Sequence, residues 1–431
     1  MKKKRILIPH LESYYLFEYL FELSNSLDKA GYEVSILTAD KEVFDQFNQT
    51  NVHVDYIPSI IRLFRKRSGN FVVRILLWIF GYMWMFKIKN RYDFAIIPWD
   101  NKPLWYLILK QFPSLTVHNT TNLMDLDFEI ESYKSPKYHK IAKTLEQVLK
   151  IKLLPRLAGV VLKHNIWWYL DKLFGMKSEN LVQGFSGIDY MTVTGNKMKD
   201  VLIEAGLNRQ KTKIFPIGNP SYDGFIGYSK DFTKINKATI KKSLELHDES
   251  DLYSMFLSPS FFSKEQVDEV TIIIETVLAF DSKASLCLKF HPKTEKRFIE
   301  IFDNLLSQRT SRYKIISGST GDKVNLDIVL SSKCIIQKQS TVGFIAMMTS
   351  VPMISYNLIE TDYYDDMYKY MEASWHCETA TEVTNKLSAL NDLEEVQKLR
   401  GKQQTACSNF CLRNDSATNS IVEIIDKHFT Q

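Results

Sequence analysis

Glycine-rich phosphate loops are missing from this 431-residue chain. There is no G-x-x-x-x-G-K-[ST], and no G-x-G-x-x-G follows the first strand-like run, which excludes P-loop NTPases and the common dinucleotide-dependent dehydrogenases. H-E-x-x-H and G-x-S-x-G are also absent, removing zincins and serine hydrolases of the nucleophile-elbow type. Cysteine is scarce. The five present (Cys287, Cys334, Cys377, Cys407, Cys411) form no C-x-x-C pair and no zinc-like spacing, so reduced, mostly buried thiols of a cytosolic protein are expected. Nor is there much charge of one sign. Lys and Arg total 55 against 50 Asp and Glu, a net +5 that does not call for a nucleic-acid partner. No period of repeat length and no low-complexity tract is found.

Long apolar runs are lacking too. The N-terminal "MKKKRILIPH" offers about four apolar residues before Pro9, shorter than a signal-peptide core, so secretion is not expected. "FVVRILLWIFGYMWMF" (71–86) falls short of the roughly 20 residues that cross a bilayer and contains Arg74 and Gly81. With Arg62, Arg65, Lys66 and Arg67 before it and Lys87, Lys89 and Arg91 after it, it reads either as a buried helix or as a membrane-surface helix. In the second case the segment 62–91 would favour an anionic leaflet.

What is present is an α/β grammar stated twice. "RILI" followed by helical apolar spacing, a stop at Gly31 and a second strand at 34–37 is a β-α-β opening. A right-handed crossover puts both strands in one parallel sheet, with ligand-binding loops at its carboxyl edge. Further strands are expected at 94–98, 115–118 and 190–194, and another in "KIFPIGNP". The pattern restarts at 253–257 and continues through "SLCLKF", "YKIIS", "KCIIQ" and "VPMISY", with a closing helix over Ser416–His428. The expectation is an α/β chain of two Rossmann-like domains with parallel sheets facing a central cleft. The domains would be 1–225 and 252–415. A polar, lysine-rich linker would occupy 226–251, and 416–431 would pack back towards the first domain.

Chemistry is expected where strands end. His291 stands directly after "LKF" and before a Pro suited to a helix's first turn, so its imidazole can donate to a phosphate oxygen, with Lys289 and Lys293 adding charge. In "KQSTVG", Gln339, Ser340, Thr341 and Gly343 occupy a strand-to-helix turn where hydroxyls and free N–H groups favour an anion. Ser258 and Ser260 follow the first strand of the second half, and Gly218 marks a turn approaching the linker. In the first half His118, Glu12 and Asp127 are candidate bases for activating a hydroxyl. Asp125-Leu-Asp127 ends no clear strand, and no metal or other cofactor is expected.

Three stretches carry a family resemblance: "VTGNKMKDVLIEAGLNRQKTKIFPIGNP", "LKFHPKTE" and "QSTVGFIAMMTSVPMISYN". They resemble the two-domain GT-B glycosyltransferases and relatives, among them the nonhydrolysing sugar-nucleotide 2-epimerases, the capsule sialyl- and Kdo-transferases and the teichoic-acid glycerophosphotransferases. In the capsule transferases an HP motif and a Ser/Thr motif bind the phosphate of a CMP-sugar, which implies that role for His291 and for Ser340 with Thr341. His-Pro also occurs in the UDP-sugar epimerases, so the base of the nucleotide stays open. "VHNTTNLMD" stands where the epimerases have an acidic-glycine stretch, which favours transfer over epimerisation. The paired acidic-glycine motif of the polysialyltransferases is not evident in the first half. The resemblance implies transfer of a sugar from a CMP- or UDP-linked donor onto a lipid-linked or cell-surface polysaccharide, at the inner membrane face. The alternatives are a CDP-glycerol- or ribitol-type phosphotransferase, a 2-epimerase, or a non-catalytic membrane-associated scaffold.

Overall fold

The computed structural model describes residues 3–10, 17–38, 41–48, 52–56, 89–97, 114–117, 189–204, 212–246, 249–258, 262–318, 321–338, 340–359, 367–412 and 416–429. They belong to two compact units, one of Met1–Ser221 with Ser416–Gln431, the other of Tyr222–Asp415.

The first unit's sheet contains β1 (Arg5–His10), β2 (Glu33–Thr38), β3 (His53–Tyr56), β4 (Phe94–Ile97), β5 (Ser114–Val117), β6 (Tyr190–Val193) and β7 (Lys213–Pro216). They lie in the order β3-β2-β1-β4-β5-β6-β7. Every pairing is parallel. Six of these strands follow the sequence expectation. β3 does not, because His53 and Asp55 alternate with apolar residues in an edge strand that needs no continuous apolar run.

The helix Ala417–Phe429 completes this unit's core from the far end of the chain. Ala417, Ile421 and Ile425 are fully buried with Leu23, Leu27 and Phe94. Its last turn is pinned by several contacts. Lys4 Nζ donates to the Phe429 carbonyl at 2.7 Å. The Tyr32 hydroxyl donates to Asp426, and burial together with that carboxylate pushes the phenol well up. Phe429 stacks on Phe94 and His428 on Tyr190.

The second unit's sheet holds β8 (Leu252–Leu257), β9 (Ser285–Phe290), β10 (Tyr313–Ile316), β11 (Cys334–Lys338), β12 (Met353–Tyr356) and β13 (Trp375–Cys377). Their order is β10-β9-β8-β11-β12-β13, again all parallel. Alternation sends Met255, Leu257, Leu288, Phe290, Ile336 and Ile354 to one face, where helices Lys264–Phe280 and Lys296–Arg309 cover them. The opposite face carries Ser254, Cys287, Lys289, Gln337 and Ser355, all buried.

The segment 226–251, expected as a linker, is different. It holds helices Phe225–Asp231 and Lys234–Ser243 and belongs to the second unit, which begins at Tyr222 rather than after Phe225. The helix Lys234–Ser243 starts in a Thr233/Asn236 capping box and buries no residue fully, so no apolar period marked it.

Removing a fully buried aliphatic side chain leaves a cavity as well as lost transfer energy. Ile421→Ala is therefore expected to destabilise the first unit by about 2–4 kcal/mol, read as a lowered urea midpoint with the slope unchanged.

Candidate functional site

In an open parallel sheet, ligands bind outside the carboxyl ends of the strands, where the strand order reverses. In the second unit that point lies between β8 and β11, since the chain runs from β8 outwards through β9 and β10 and then returns to β11. Register sets which residues meet there. Leu257 is abreast of Phe290 on one side and of Lys338 on the other. His291 and Ser258 therefore leave the sheet side by side, with the end of β11 at Lys338 flanking Ser258 on its other side. Ser258 is half-buried between its neighbours' strands. Two strand spacings, roughly 10 Å, separate the strand ends at Phe290 and Lys338.

His291 is oriented by its own backbone. Its N–H donates to the Leu257 carbonyl at 2.9 Å, continuing the ladder one residue past the strand, and its carbonyl accepts the Thr294 N–H at 2.9 Å in a tight turn. Pro292 follows in that turn. The Lys293 N–H donates into Nδ1 at 3.1 Å. A neutral imidazole that accepts at Nδ1 carries its proton on Nε2, so His291 presents a donor. Burial first, and then the charges of Lys293 and Lys289, hold its pKa below the ordinary histidine value, which favours the neutral ring.

Ser340 follows the same design. The Val342 N–H donates into its Oγ at 3.3 Å, leaving the hydroxyl proton free to point elsewhere. Its own N–H is taken by Gln337 Oε1 at 2.6 Å. Thr341 is exposed and caps the helix Val342–Thr349 with no side-chain bond to it. The edge thus offers an imidazole N–H and two hydroxyls, which suits an anion.

Lys289 differs from the sequence expectation. It is 6% exposed, and its Nζ donates to the carbonyls of Phe290 and Gly318, both at 3.0 Å. Two of its three protons are spent on backbone, and burial lowers its pKa. Its charge bears on His291, while its donors hold β9 to the turn after β10. Gly218 lies in the first unit, just beyond β7, at φ 93°, a left-handed conformation that favours glycine. His118, Glu12, Asp127, Ser260 and Gln339 lie outside the described residues, as does the segment 71–86. Among the described residues no group of three or more His, Cys, Asp or Glu is placed to hold a metal ion.

Glu269 was not anticipated. It is 1% exposed on helix Lys264–Phe280, in the stripe it shares with Ile273 and Val277. Its oxygens take Lys338 Nζ at 2.8 and 3.0 Å and the N–H groups of Leu358 and Ile359 at 2.7 and 3.2 Å. One carboxylate ties the end of β11 to the loop after β12. The available signal was an acidic residue at i, i+4, i+8 spacing with buried aliphatics. Gly343 has a steric role. A Cβ there would lie 2.6 Å from the hydroxyl oxygen of Tyr368 and 2.7 Å from Cε2 of the same ring, which is fully buried.

Two doubly wound parallel units in one chain make the GT-B architecture, and solved structures share it over nearly the whole length. A glycosyltransferase from Rickettsia africae matches with a TM-score of 0.58 at 13% identity, covering 99% of each chain. A UDP-GlcNAc 2-epimerase from Neisseria meningitidis bound to UDP-GlcNAc gives 0.56 at 12% identity, covering 98% of this chain and 100% of that one. A wall teichoic acid polymerase variant gives 0.57 at 13% identity, with 99% and 89% covered. At these identities the likeness establishes the fold. No protein-family model and no curated protein sequence matches the chain.

Gly343→Ala is expected to cost about 1–3 kcal/mol through overpacking against Tyr368, measured as a lowered Tm of the second unit. Glu269→Ala leaves the Lys338 ammonium, only 15% exposed in its side chain, without its counter-charge. A loss of about 3–5 kcal/mol in denaturant unfolding is expected, with much of it recovered when Lys338→Met is added.

Proposed function

We propose that this chain is a nucleotide-sugar-dependent glycosyltransferase whose second unit holds the donor phosphate between His291 and the Ser340–Thr341 turn. The observation that carries this is the pair of backbone bonds two residues on, Lys293 N–H into His291 and Val342 N–H into Ser340, which set the neutral imidazole as an Nε2–H donor and leave the Ser340 hydroxyl proton available. Proteins of the same fold support the nucleotide-sugar assignment, since one of them is bound to UDP-GlcNAc. The donor is CMP- or UDP-linked, and the acceptor a lipid-linked or cell-surface polysaccharide bound by the first unit. Among the described residues no helix is long and apolar enough to cross a membrane. The reading assigns membrane contact to surface attachment through 62–91, whose apolar run 71–86 is shorter than the roughly 20 residues that cross a bilayer, on the cytoplasmic side.

Chemically, breaking the bond between the sugar's anomeric carbon and the phosphate oxygen leaves negative charge on the departing nucleotide. Fixed donors around that oxygen stabilise the charge as it develops, without reorganising at the moment of reaction and without requiring a metal. A neutral His291 donates its Nε2–H to the phosphate, and a proton gained at Nδ1 strengthens that donor while giving up the Lys293 N–H bond. The acceptor hydroxyl loses its proton to a first-unit base, for which His118, Glu12 and Asp127 are the candidates. A phosphotransferase or an epimerase would use the same donor site, and the products separate them. A radiolabelled sugar donor should yield labelled glycan together with free nucleotide; free nucleotide with no label on any acceptor would contradict transfer.

The pH dependence has a definite sign. Burial and neighbouring lysines lower the pKa of His291 in the free protein, so the folded state resists the proton and loses stability as pH falls below about 6.5. A bound anion favours the imidazolium, so nucleotide affinity should rise as pH falls from about 8 towards 6. His291→Gln, which keeps a donor but does not titrate, should flatten that rise relative to wild type in calorimetric titrations with UDP and CMP. The difference between the two proteins cancels titration of the ligand itself.

A further inference from the structure

The peptide of Ser340 is held from both sides. On the amide side, Gln337 Oε1 accepts the Ser340 N–H at 2.6 Å. Gln337 is fully buried at the end of β11, and its Nε2 is directed to Met353 Sδ at 3.7 Å, which fixes the amide orientation. On the carbonyl side, the Tyr368 hydroxyl donates to Ser340 O at 2.7 Å, and the Gly343 N–H donates to the same oxygen at 3.0 Å. The Tyr368 ring is fully buried, packs edge-on against Phe344 at 5.4 Å between centroids, and lies against the open side of Gly343.

This is more restraint than a helix start requires. The helix Val342–Thr349 is apolar nearly throughout and buried from Val342 to Met348, so packing alone keeps it in place. Gly343 N–H already satisfies the Ser340 carbonyl, so the tyrosine hydroxyl is not needed to avoid an orphaned acceptor. Its effect is geometric. Hydrogen-bond partners at both ends of one residue fix the rotation of the flanking peptides, and therefore the directions of Ser340 Oγ and of the Thr341 N–H and hydroxyl that follow.

We infer that Tyr368, with Gln337, is a positioning residue for the phosphate-binding turn, clamping the Ser340 peptide so that the Ser340 and Thr341 donors converge on the donor phosphate. The inference rests on the nucleotide-phosphate reading above. Tyr368 itself does not touch the ligand. It acts through the Ser340 carbonyl, and the glycine at 343 is what admits its ring to that position.

Tyr368→Phe tests this cleanly, because the ring, its packing on Phe344 and the second bond to Ser340 O all remain. The measurement is the affinity for UDP and CMP, alongside uridine and cytidine as phosphate-free probes, with Tm recorded for each protein. The expected result is a Tm close to wild type, nucleotide affinity weakened about three- to tenfold, as fits one lost hydrogen bond, and nucleoside affinity unchanged. Nucleotide affinity equal to wild type, or equal weakening for nucleotide and nucleoside, would overturn the inference. If the wild-type protein binds neither nucleotide, the underlying phosphate reading fails and this inference falls with it.

Discussion

Because the Lys293 amide donates into His291 Nδ1 at 3.1 Å, the neutral ring must carry its proton on Nε2, and a side chain that could accept becomes one that gives. The rest of the site depends on that bond. The turn that makes it exists because the ladder continues through His291 N–H to Leu257 O and then bends at Pro292. The ladder in turn exists because β8 and β9 are parallel and in register to their last residues. Ser340 repeats the same bond, from a backbone N–H two residues on, after β11. Two loops of unrelated sequence thus solve one problem alike, each using a backbone donor to set the direction of a side-chain donor.

The surrounding charges fit this arrangement. Lys289 is buried close to His291 and spends two of its three protons on carbonyls, so it acts on the histidine mainly through its charge. Burial first, and then the charges of Lys293 and Lys289, hold the imidazole pKa below the ordinary histidine value, and the proposed donor phosphate would offset those charges. Glu269 does the complementary work on the other side of the sheet. It neutralises Lys338 and takes up two loop N–H groups, which keeps that lysine away from the anion edge. Each buried charge is answered by a specific partner, as burial of ions demands.

Much of the fold was legible because parallel strands buried on both faces read as short apolar runs, and helices between them show their own period. β8, β9 and β11 were plain for that reason, and His291 and Ser340 stood out as polar residues at their ends. What escaped has physical causes. β3 alternates polar and apolar residues at an edge, β13 spans only Trp375–Cys377, and the helix Lys234–Ser243 buries nothing fully. Helix Ala380–Ala389 buries only Val383 and Leu387, and the buried stripe of Leu393–Phe410 includes Gln403, Ala406 and Cys407, so neither shows a strong apolar period. Tyr368 could be found only once the chain was folded, because its partner lies 28 residues away, and nothing in the sequence shows that Gln337 and Glu269 hold backbone N–H groups. Lys289 was read as charge beside His291; sequence reveals that charge but not that two of its three protons are spent on backbone carbonyls.

The account is tested most directly by the tautomer of His291 itself. Nitrogen-15 correlation spectra of histidine-labelled protein, with His291→Gln to assign the ring, report which nitrogen bears the proton and how it responds to UDP or CMP. The expected result is an Nε2–H tautomer near pH 7.5 in the free protein, with Nε2 the nitrogen that shifts on adding nucleotide. An Nδ1–H tautomer, or a ring whose Nε2 signal ignores saturating nucleotide, would contradict the central claim that this strand-end histidine is a donor built for a phosphate.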